Sequence, residues 1–465
     1  MLAIPIQNNC MRIPRRPCRS QTFPQRRSLS KIHLMPNYFR SRLLRLRPRF
    51  IQTPIIHDPN PLHFPQRRAH NTPNRSGLVK ARNHSGAQKI TIHFPTLVAS
   101  PVFDEVYFPL TLRAESPLNS RVTSNNPGPN LIDLLARNGE QAALHERAAA
   151  AARTHFGAEV FVRAVVELSN FCRENCHYCG MRRGNRDLVR YRAKFDELAE
   201  LLLHHLPPSV TDVNFQAGED PIAARELAIP LIQLLRRETD LGVSVCLGTL
   251  DHSLYNELRE AGASIYILKF ETSNTSNYDT FEAPGKLTER LDHIRHLAAN
   301  GWNVSSGFIC GLPNEKPEDW LASLQLANSL PLAGCSVSPF VPGEATPLAN
   351  AETGDIDLVL NCMAAMRLMR PDWIIPAVSA LNICQPELGY RRGLRTGANL
   401  VTMNLTPAGL RENYVLYKRD RFIMDEERIL RALDAEGLKP SKIGLAKFYE
   451  TRRLTRAVPV PTAAI

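Results

Sequence analysis

Leu168-Ser169-Asn170-Phe171-Cys172-Arg173-Glu174-Asn175-Cys176-His177-Tyr178-Cys179-Gly180 follows directly on Val160-Phe161-Val162-Arg163-Ala164-Val165-Val166, a short β-branched run. The run reads as a buried strand, so three cysteines in C-x3-C-x2-C spacing stand in a loop at its C-terminal end. Thiolates that close in the chain can serve one metal centre. A [4Fe-4S] cube has four irons that each want a ligand, usually a Cys thiolate, so three donors leave one iron open to bind a cofactor. Zinc is the alternative, because His177 would complete a Cys3His tetrahedron. Structural zinc ligands usually come as two separated pairs, whereas these crowd into one loop with Tyr178 before the last Cys, a pattern that favours iron and sulfur. A disulfide framework is disfavoured, since 10 Cys in 465 residues is sparse.

Downstream, strand-like runs alternate with amphipathic helices. Helices are expected over 195–206, 222–238, 253–261, 287–300, 317–329, 356–369 and 387–394. They lead in turn to strands at 213–215, 243–246, 265–268, 304–309, 336–338, 374–378 and 399–401. With the first strand that makes eight, and crossovers of this length suit parallel βαβ units. Eight units in about 270 residues match a (β/α)8 TIM-type barrel. A doubly wound open sheet is the runner-up, because periodicity does not prove closure. An Ala-rich helix from Leu131 to about His155, ending at Gly157, precedes the first strand.

A barrel places its active site at the C-terminal ends of the strands, and the unusual polar and glycine-containing motifs fall there. After the second strand stands Gln216-Ala217-Gly218-Glu219-Asp220-Pro221. Gly218 lets the backbone approach a ligand and Glu219 could accept from an ammonium group, while Asp220 as N-cap and Pro221 at N1 also read as an ordinary turn into a helix. After the fourth strand, Lys269 and Glu271 lie two apart and point the same way, into the barrel mouth. Buried charge is costly unless paired, so they either pair with each other or grip a zwitterion. The fifth strand ends in Gly307-Phe308-Ile309-Cys310-Gly311, and Phe340, Ser379 and Asn382 follow the sixth and seventh.

The cysteine loop resembles the signature of the radical S-adenosylmethionine (SAM) enzymes. Its flanks, Glu167-Leu168-Ser169-Asn170 and Gly180-Met181-Arg182-Arg183-Gly184-Asn185, resemble the branch of biotin synthase, the hydrogenase maturase HydE and methylornithine synthase (PylB). The resemblance implies one [4Fe-4S] cluster on Cys172, Cys176 and Cys179. Its open iron would chelate SAM, and one electron would cleave SAM to methionine and a 5'-deoxyadenosyl radical. It further implies that Tyr178, Gly218, Glu219, Lys269, Glu271, Arg290 and Ile309 contact SAM, and that Ser379, Asn382 and Phe340 contact a small-molecule substrate. Lys269 replaces the Arg of similar HydE-type enzymes, which removes bidentate carboxylate binding. Residues of about 340–435 resemble the biotin and thiamin synthesis associated (BATS) region. Biotin synthases also hold an auxiliary [2Fe-2S] cluster with three Cys and an Arg. The matching positions here are Cys246, Ser305, Val213 or Asn214, and Ala377, one ligand of four, so sulfur insertion by that route is disfavoured. The expected function is a HydE- or methylornithine-synthase-like radical enzyme acting on a small amino-acid-like metabolite. The alternatives are biotin-synthase-type sulfur insertion and a non-enzymatic iron–sulfur or zinc protein. Cys246, Cys310, Cys335, Cys362 and Cys384 read as small buried hydrophobes.

The first 100 residues hold 18 Lys and Arg and a single acid, Asp58, a net +17 against +12 for the whole chain. The remainder is therefore mildly acidic, net −5, and offers no general basic surface for nucleic acid. Residues 1–125 read as a basic, Pro/Arg-rich disordered extension, either a transit segment, a nucleic-acid or membrane-surface arm, or an unselected extension. The last of these is favoured. Residues 126–440 read as the barrel and 441–465 as a C-terminal tail. No apolar run reaches the roughly 20 residues of a membrane span. The expected partners are a small-molecule substrate and an electron donor such as flavodoxin or ferredoxin, with no nucleic acid and no membrane. The expected location is cytoplasmic, or an organellar matrix if the extension is a transit segment.

Overall fold

The computed structural model describes residues 129–457, so the expected extension over 1–125 lies outside the described residues, as does the chain beyond 457. Eight β-strands form: β1 Glu159–Ser169, β2 Asp212–Ala217, β3 Gly242–Cys246, β4 Ile265–Ile267, β5 Asn303–Cys310, β6 Gly334–Pro339, β7 Leu400–Asn404 and β8 Lys439–Pro440. The first seven pair in parallel in the order β6-β5-β4-β3-β2-β1-β7. β1 lies between β2 and β7, and its near-continuous burial accounts for its Val-rich run.

Residues 374–376 join the two ends of this order. Ile374 bridges to Gly334 of β6 and Pro376 to Leu400 of β7, both in parallel. Backbone bonds from Cys335 N–H to Ile374 O (3.1 Å) and from Ala377 N–H to Leu400 O (2.9 Å) complete the ring. The expected strand at 374–378 is thus reduced to two bridges, because Pro376 has no N–H to donate. The protein has the parallel TIM-type barrel fold expected from the alternating pattern.

Arg367 secures this closure. Fully buried on helix Ile356–Met369, it donates from Nε to Gly397 O, from Nη1 to Pro371 O and Trp373 O, and from Nη2 to Asn399 Oδ1, at 2.8–2.9 Å. One guanidinium thereby satisfies carbonyls on both sides of the 374–376 segment.

Two segments differ from the sequence reading. The helix expected from Leu131 breaks into Leu131–Leu135 and Asn138–Phe156. Asn361 causes the break, donating to Leu134 O and Ala136 O, both at 2.9 Å, and so ending the first piece. Residues 441–457, read as tail, instead carry helix Leu445–Ala457. The Asp212 carboxylate at the start of β2 caps it, accepting from Leu445 N–H at 2.9 and 3.0 Å. Leu445 and Tyr449 then pack against Phe161, Ile265, Ile267, Ile374 and Leu400, the side chains at the lower end of the barrel.

Replacing Arg367 by Met should leave three carbonyls without their side-chain donor and Asn399 Oδ1 with only the Ile375 N–H. At about 1 kcal/mol per bond the expected loss is about 3–5 kcal/mol, read as a lowered urea midpoint.

Candidate active site at the barrel mouth

The cysteine loop leaves β1 through a register shift between Glu167 and Ser169, a bulge that turns the chain out of the sheet. Its base is closed by an antiparallel bridge between Ser169 and Arg192. Asn170 reinforces the base, accepting from Tyr191 N–H at 2.7 Å and donating to Val189 O and Asn413 O at 2.8 and 2.7 Å. Arg190 binds the interior of the loop, donating to the carbonyls of Asn170 (2.5 Å), Met181 (2.8 Å), Arg182 (2.7 Å) and Asn185 (3.2 Å). Neither Asn170 nor Arg190 was assigned a role from the sequence. A polar residue seated amid an otherwise irregular loop was the available signal.

Asp220, expected as a helix N-cap, makes no capping bond. Its carboxylate accepts from Ser169 Oγ at 2.7 Å and from Arg192 Nε and Nη2 at 2.7 and 3.0 Å, tying the end of β2 to the loop base. Gly218 faces the same way. A Cβ there would collide with Phe171 O and lie 2.7 Å from Cys172 Cβ, so its immediate demand is close approach to the cysteine loop.

Cys172, Cys176 and Cys179 all border one cavity of about 320 Å³ that runs down the barrel to Leu445 and Tyr449. Burial raises all three thiols above the usual range, Cys179 to about 12. The thiols also face one another, which adds to the shift at Cys176 and Cys179. Cys172 Sγ accepts from Glu219 N–H at 3.4 Å. Among the described residues, no group of three or more His, Cys, Asp or Glu converges tightly enough to hold a single metal ion. A cube does not require that convergence, because each of its irons takes a separate ligand. Three thiols bordering one cavity are donors of the type such a cluster takes. His177 also turns away, its Nε2 lying 3.2 Å from Glu282 Oε1.

Tyr178, Gly218, Glu219, Lys269, Glu271, Arg290 and Ile309 line this cavity too, as do Phe340, Ser379 and Asn382. Their hydrogen bonding separates them. Glu219 and Arg290 are both buried and bind each other, Arg290 Nη1 to Glu219 Oε1 at 2.6 Å. Arg290 also donates to Thr249 Oγ1 and Lys269 O, both at 2.8 Å. Glu219 further accepts from Thr249 N–H at 2.9 Å and Arg173 Nε at 3.3 Å. Burial is the largest single influence on Arg290 and opposes its charge, but Glu219, Tyr278 and Glu271 together outweigh it and raise its pKa.

Lys269 and Glu271, by contrast, have no ion pair or side-chain hydrogen bond among the described residues. Burial works against the Lys269 charge, yet the facing Tyr417, Glu271 and Cys246 leave its pKa above the usual value. Glu271 has φ of 65°, the left-handed region that side chains rarely adopt. Its backbone is held there by Phe308 and Ile309 of β5, with Ile309 N–H donating to Glu271 O at 2.7 Å. Tyr178 Oη and Asn382 Nδ2 are buried without a partner among the described residues.

Further charged groups bordering the cavity were not foreseen. Glu167 on β1 accepts from Asn404 Nδ2 and Arg421 Nη2, both at 2.8 Å. Burial raises its pKa against the opposing pull of Arg421. Arg163, also on β1, reaches only Thr402 Oγ1, at 3.5 Å, and its Nε is buried without a partner. Cys246, read as a buried hydrophobe, is half-buried on the cavity wall.

The chain matches the model of the radical SAM superfamily over residues 166–327. It is 30% identical over 306 residues to the [FeFe] hydrogenase maturase subunit HydE of Thermotoga maritima, covering 64% of this chain and 87% of that one. It is 28% identical over 292 residues to 3-methylornithine synthase of Methanosarcina barkeri, covering 62% and 82%. The crystal structure of methylornithine synthase (PylB) superposes with a TM-score of 0.62 at 25% identity, covering 70% of this chain and 97% of that one.

Two outcomes follow from this geometry. Arg190→Met should unpin the loop, so that iron bound after anaerobic reconstitution falls severalfold while far-ultraviolet circular dichroism is unchanged. Glu271→Gly should relieve the left-handed strain and raise stability by up to about 1 kcal/mol in urea melts, even as it removes a carboxylate from the cavity.

Proposed function

The chain belongs to the radical SAM superfamily and is an enzyme of the HydE and methylornithine synthase type; from that premise we propose that Cys172, Cys176 and Cys179 hold one [4Fe-4S] cluster, with SAM and a small amino-acid-like substrate in the cavity below. When bound, the cluster and SAM together supply a 5'-deoxyadenosyl radical. The observation that carries this reading is that three thiols, Cys176 buried and Cys172 and Cys179 half-buried, and two charges without a salt bridge, Lys269 and Glu271, border the same cavity at the barrel mouth.

The two acid–base pairs then divide the work. Lys269 would receive the carboxylate and Glu271 the ammonium of the zwitterionic methionyl end of SAM. Their lack of protein partners supports this, since a charge left bordering a cavity is stabilised by an opposite charge brought in by a ligand. Glu219 and Arg290 satisfy each other, so they act as positioning residues. Arg290 holds the Lys269 carbonyl, and the Glu219 backbone N–H reaches Cys172 Sγ. Tyr178 packs with Phe281, Leu312, Phe340 and Ile309 and gives an apolar wall suited to a flat base. Deeper in the barrel, Arg163 offers a cation with an unpartnered Nε, and Asn382 an unpartnered amide donor. Both suit the carboxylate and polar groups of an amino-acid-like substrate, and Ser379 lies beside them. Among the cavity-lining residues outside the cysteine loop, Cys246 is the one thiol, which supports a single cluster over an auxiliary one.

Reconstitution should be pH-dependent. Because the native thiols have raised pKa values, they are protonated at neutral pH and iron must displace those protons. Cluster assembly should release protons and slow as pH falls from about 8.5, the ordinary thiol pKa, to about 6.5. For the reaction, anaerobic reconstitution followed by dithionite and SAM should yield 5'-deoxyadenosine with about four irons per chain. No 5'-deoxyadenosine would sink the reading, and a Cys176→Ala variant that still made it would sink the ligand assignment. Lys269→Met should raise the SAM KM about tenfold or more, with a smaller effect on kcat.

A further inference from the structure

Residues 247–250 leave β3 without regular structure and set the Glu219–Arg290 pair in place. Thr249 N–H donates to Glu219 Oε1 at 2.9 Å, Thr249 Oγ1 accepts from Arg290 at 2.8 Å, and Thr249 O accepts from Arg173 at 2.8 Å. Gly248 has φ of 72°, and a Cβ on it would collide with Glu219 Cγ. The segment is itself held from outside the sheet. Leu250 N–H donates to Tyr255 Oη at 3.0 Å, and that hydroxyl lies 3.1 Å from His293 Nδ1. Leu250 and Tyr255 are buried, so an amide left unpaired there is costly. We propose that Tyr255 and His293 are positioning residues of the SAM site, and that their hold requires a neutral His293. The inference rests on the cofactor reading above.

His293 stands three residues after Arg290 on helix Leu287–Ala299, so one helix carries both ends of this chain of bonds. A phenol that accepts from Leu250 still has its own proton to give, and only the neutral ring offers Nδ1 as an acceptor. Protonation turns Nδ1 into a donor and leaves the phenol proton without that partner. The surroundings keep the ring neutral. His252, which opens helix His252–Ala261, stacks on His296 with ring centroids 3.6 Å and planes 11° apart, and meets His293 edge-on at 5.3 Å. Burial is the largest influence on His293. His252, Arg290 and His296 also oppose its charge, Glu219 favours it, and the balance lowers its pKa. His296 is lowered too, by burial and by His252. Nearby on the two helices, Asp292 pairs with Arg295 at 2.8 Å and Asp251 is exposed, while Tyr266 packs edge-on against Tyr255 from β4. A histidine lowered in the assembled state supports assembly fully above its ordinary value of about 6.5, and that support is lost as pH falls below it.

The reconstituted full chain, with SAM as the probe, tests this. Tyr255→Phe should weaken SAM binding at pH 8 by about threefold or more, with iron content unchanged. His293→Asn keeps an acceptor oxygen near the Nδ1 position and cannot take the proton, so it should bind SAM more tightly than His293→Ala at pH 8. The loss of affinity from pH 8 to pH 6 should be about two- to fourfold greater in the wild type than in His293→Asn, the upper figure being the limit for an ordinary value of about 6.5. His252→Asn/His296→Asn should flatten the wild-type profile in part, because two opposing neighbours are gone. Wild-type affinity in Tyr255→Phe, or parallel pH profiles for the wild type and His293→Asn, would overturn the proposal. Without SAM, hydrogen exchange over 247–255 should be faster in Tyr255→Phe than in the wild type, and acid should loosen the segment in the wild type relative to His293→Asn. A wild type that binds no SAM would count against the cofactor reading, and the exchange measurement would still decide the positioning role.

Discussion

A loop that is neither helix nor strand must find donors for its carbonyls outside the regular ladders, or leave them unpaired at a cost of a few kcal/mol each. Here one guanidinium, Arg190, serves four of them, and Asn170 closes the base from both sides. The other parts of the mouth lean on that arrangement. Asp220 can hold the end of β2 to Ser169 and Arg192 because the base is fixed, and Gly218 can press against Phe171 and Cys172 because the loop does not move away. The placing of the cysteines is a property of this hydrogen-bonded frame more than of the cysteines themselves.

The second constraint is charge in a hollow barrel. Most barrels of this kind fill their interior with side chains, whereas this one keeps a cavity bordered by Arg163, Glu167, Lys269, Glu271 and Arg421. Glu167 and Arg421 offset each other, as do Glu219 and Arg290. Lys269 and Glu271 face each other without forming a salt bridge, and Glu271 is also held in a left-handed backbone. Charge without a salt bridge at both residues and backbone strain at Glu271 cost stability.

Both ends of the cavity are covered. Below, helix Leu445–Ala457 is anchored by Asp212 and by Tyr449, whose hydroxyl donates to Ala333 O at 3.1 Å. Above, residues 413–424 cross the mouth, with Tyr414, Leu416, Tyr417, Arg421 and Phe422 on the lining. This segment is joined to the cysteine loop through Asn170 and through Gly180 N–H, which meets Leu416 O at 3.4 Å. Such enclosure suits a reaction that must exclude water and competing hydrogen donors.

The strand–helix alternation was legible because burial on both faces demands uniformly apolar strands and amphipathic helices, and seven of the eight expected strands stand within a few residues of where they were read. The cysteine spacing, Lys269 and Glu271 were legible for a similar reason: each is a local departure from that pattern at a strand end. Residue identity alone thus determined the strand–helix alternation and several of the side chains at the strand ends, whereas closure of the ring through 374–376 and the place of Arg163, Glu167 and Arg421 on the cavity came from the tertiary structure. What residue identity could not determine was which of those charges find each other. Glu219 and Arg290 are 71 residues apart, Glu167 and Arg421 are 254 apart, and the terminal helix reaches Asp212 across 233. Pairings at such separations have no periodicity to betray them. Only the closed ring brings them within hydrogen-bonding distance, and only there are Lys269 and Glu271 seen to border the cavity without a salt bridge.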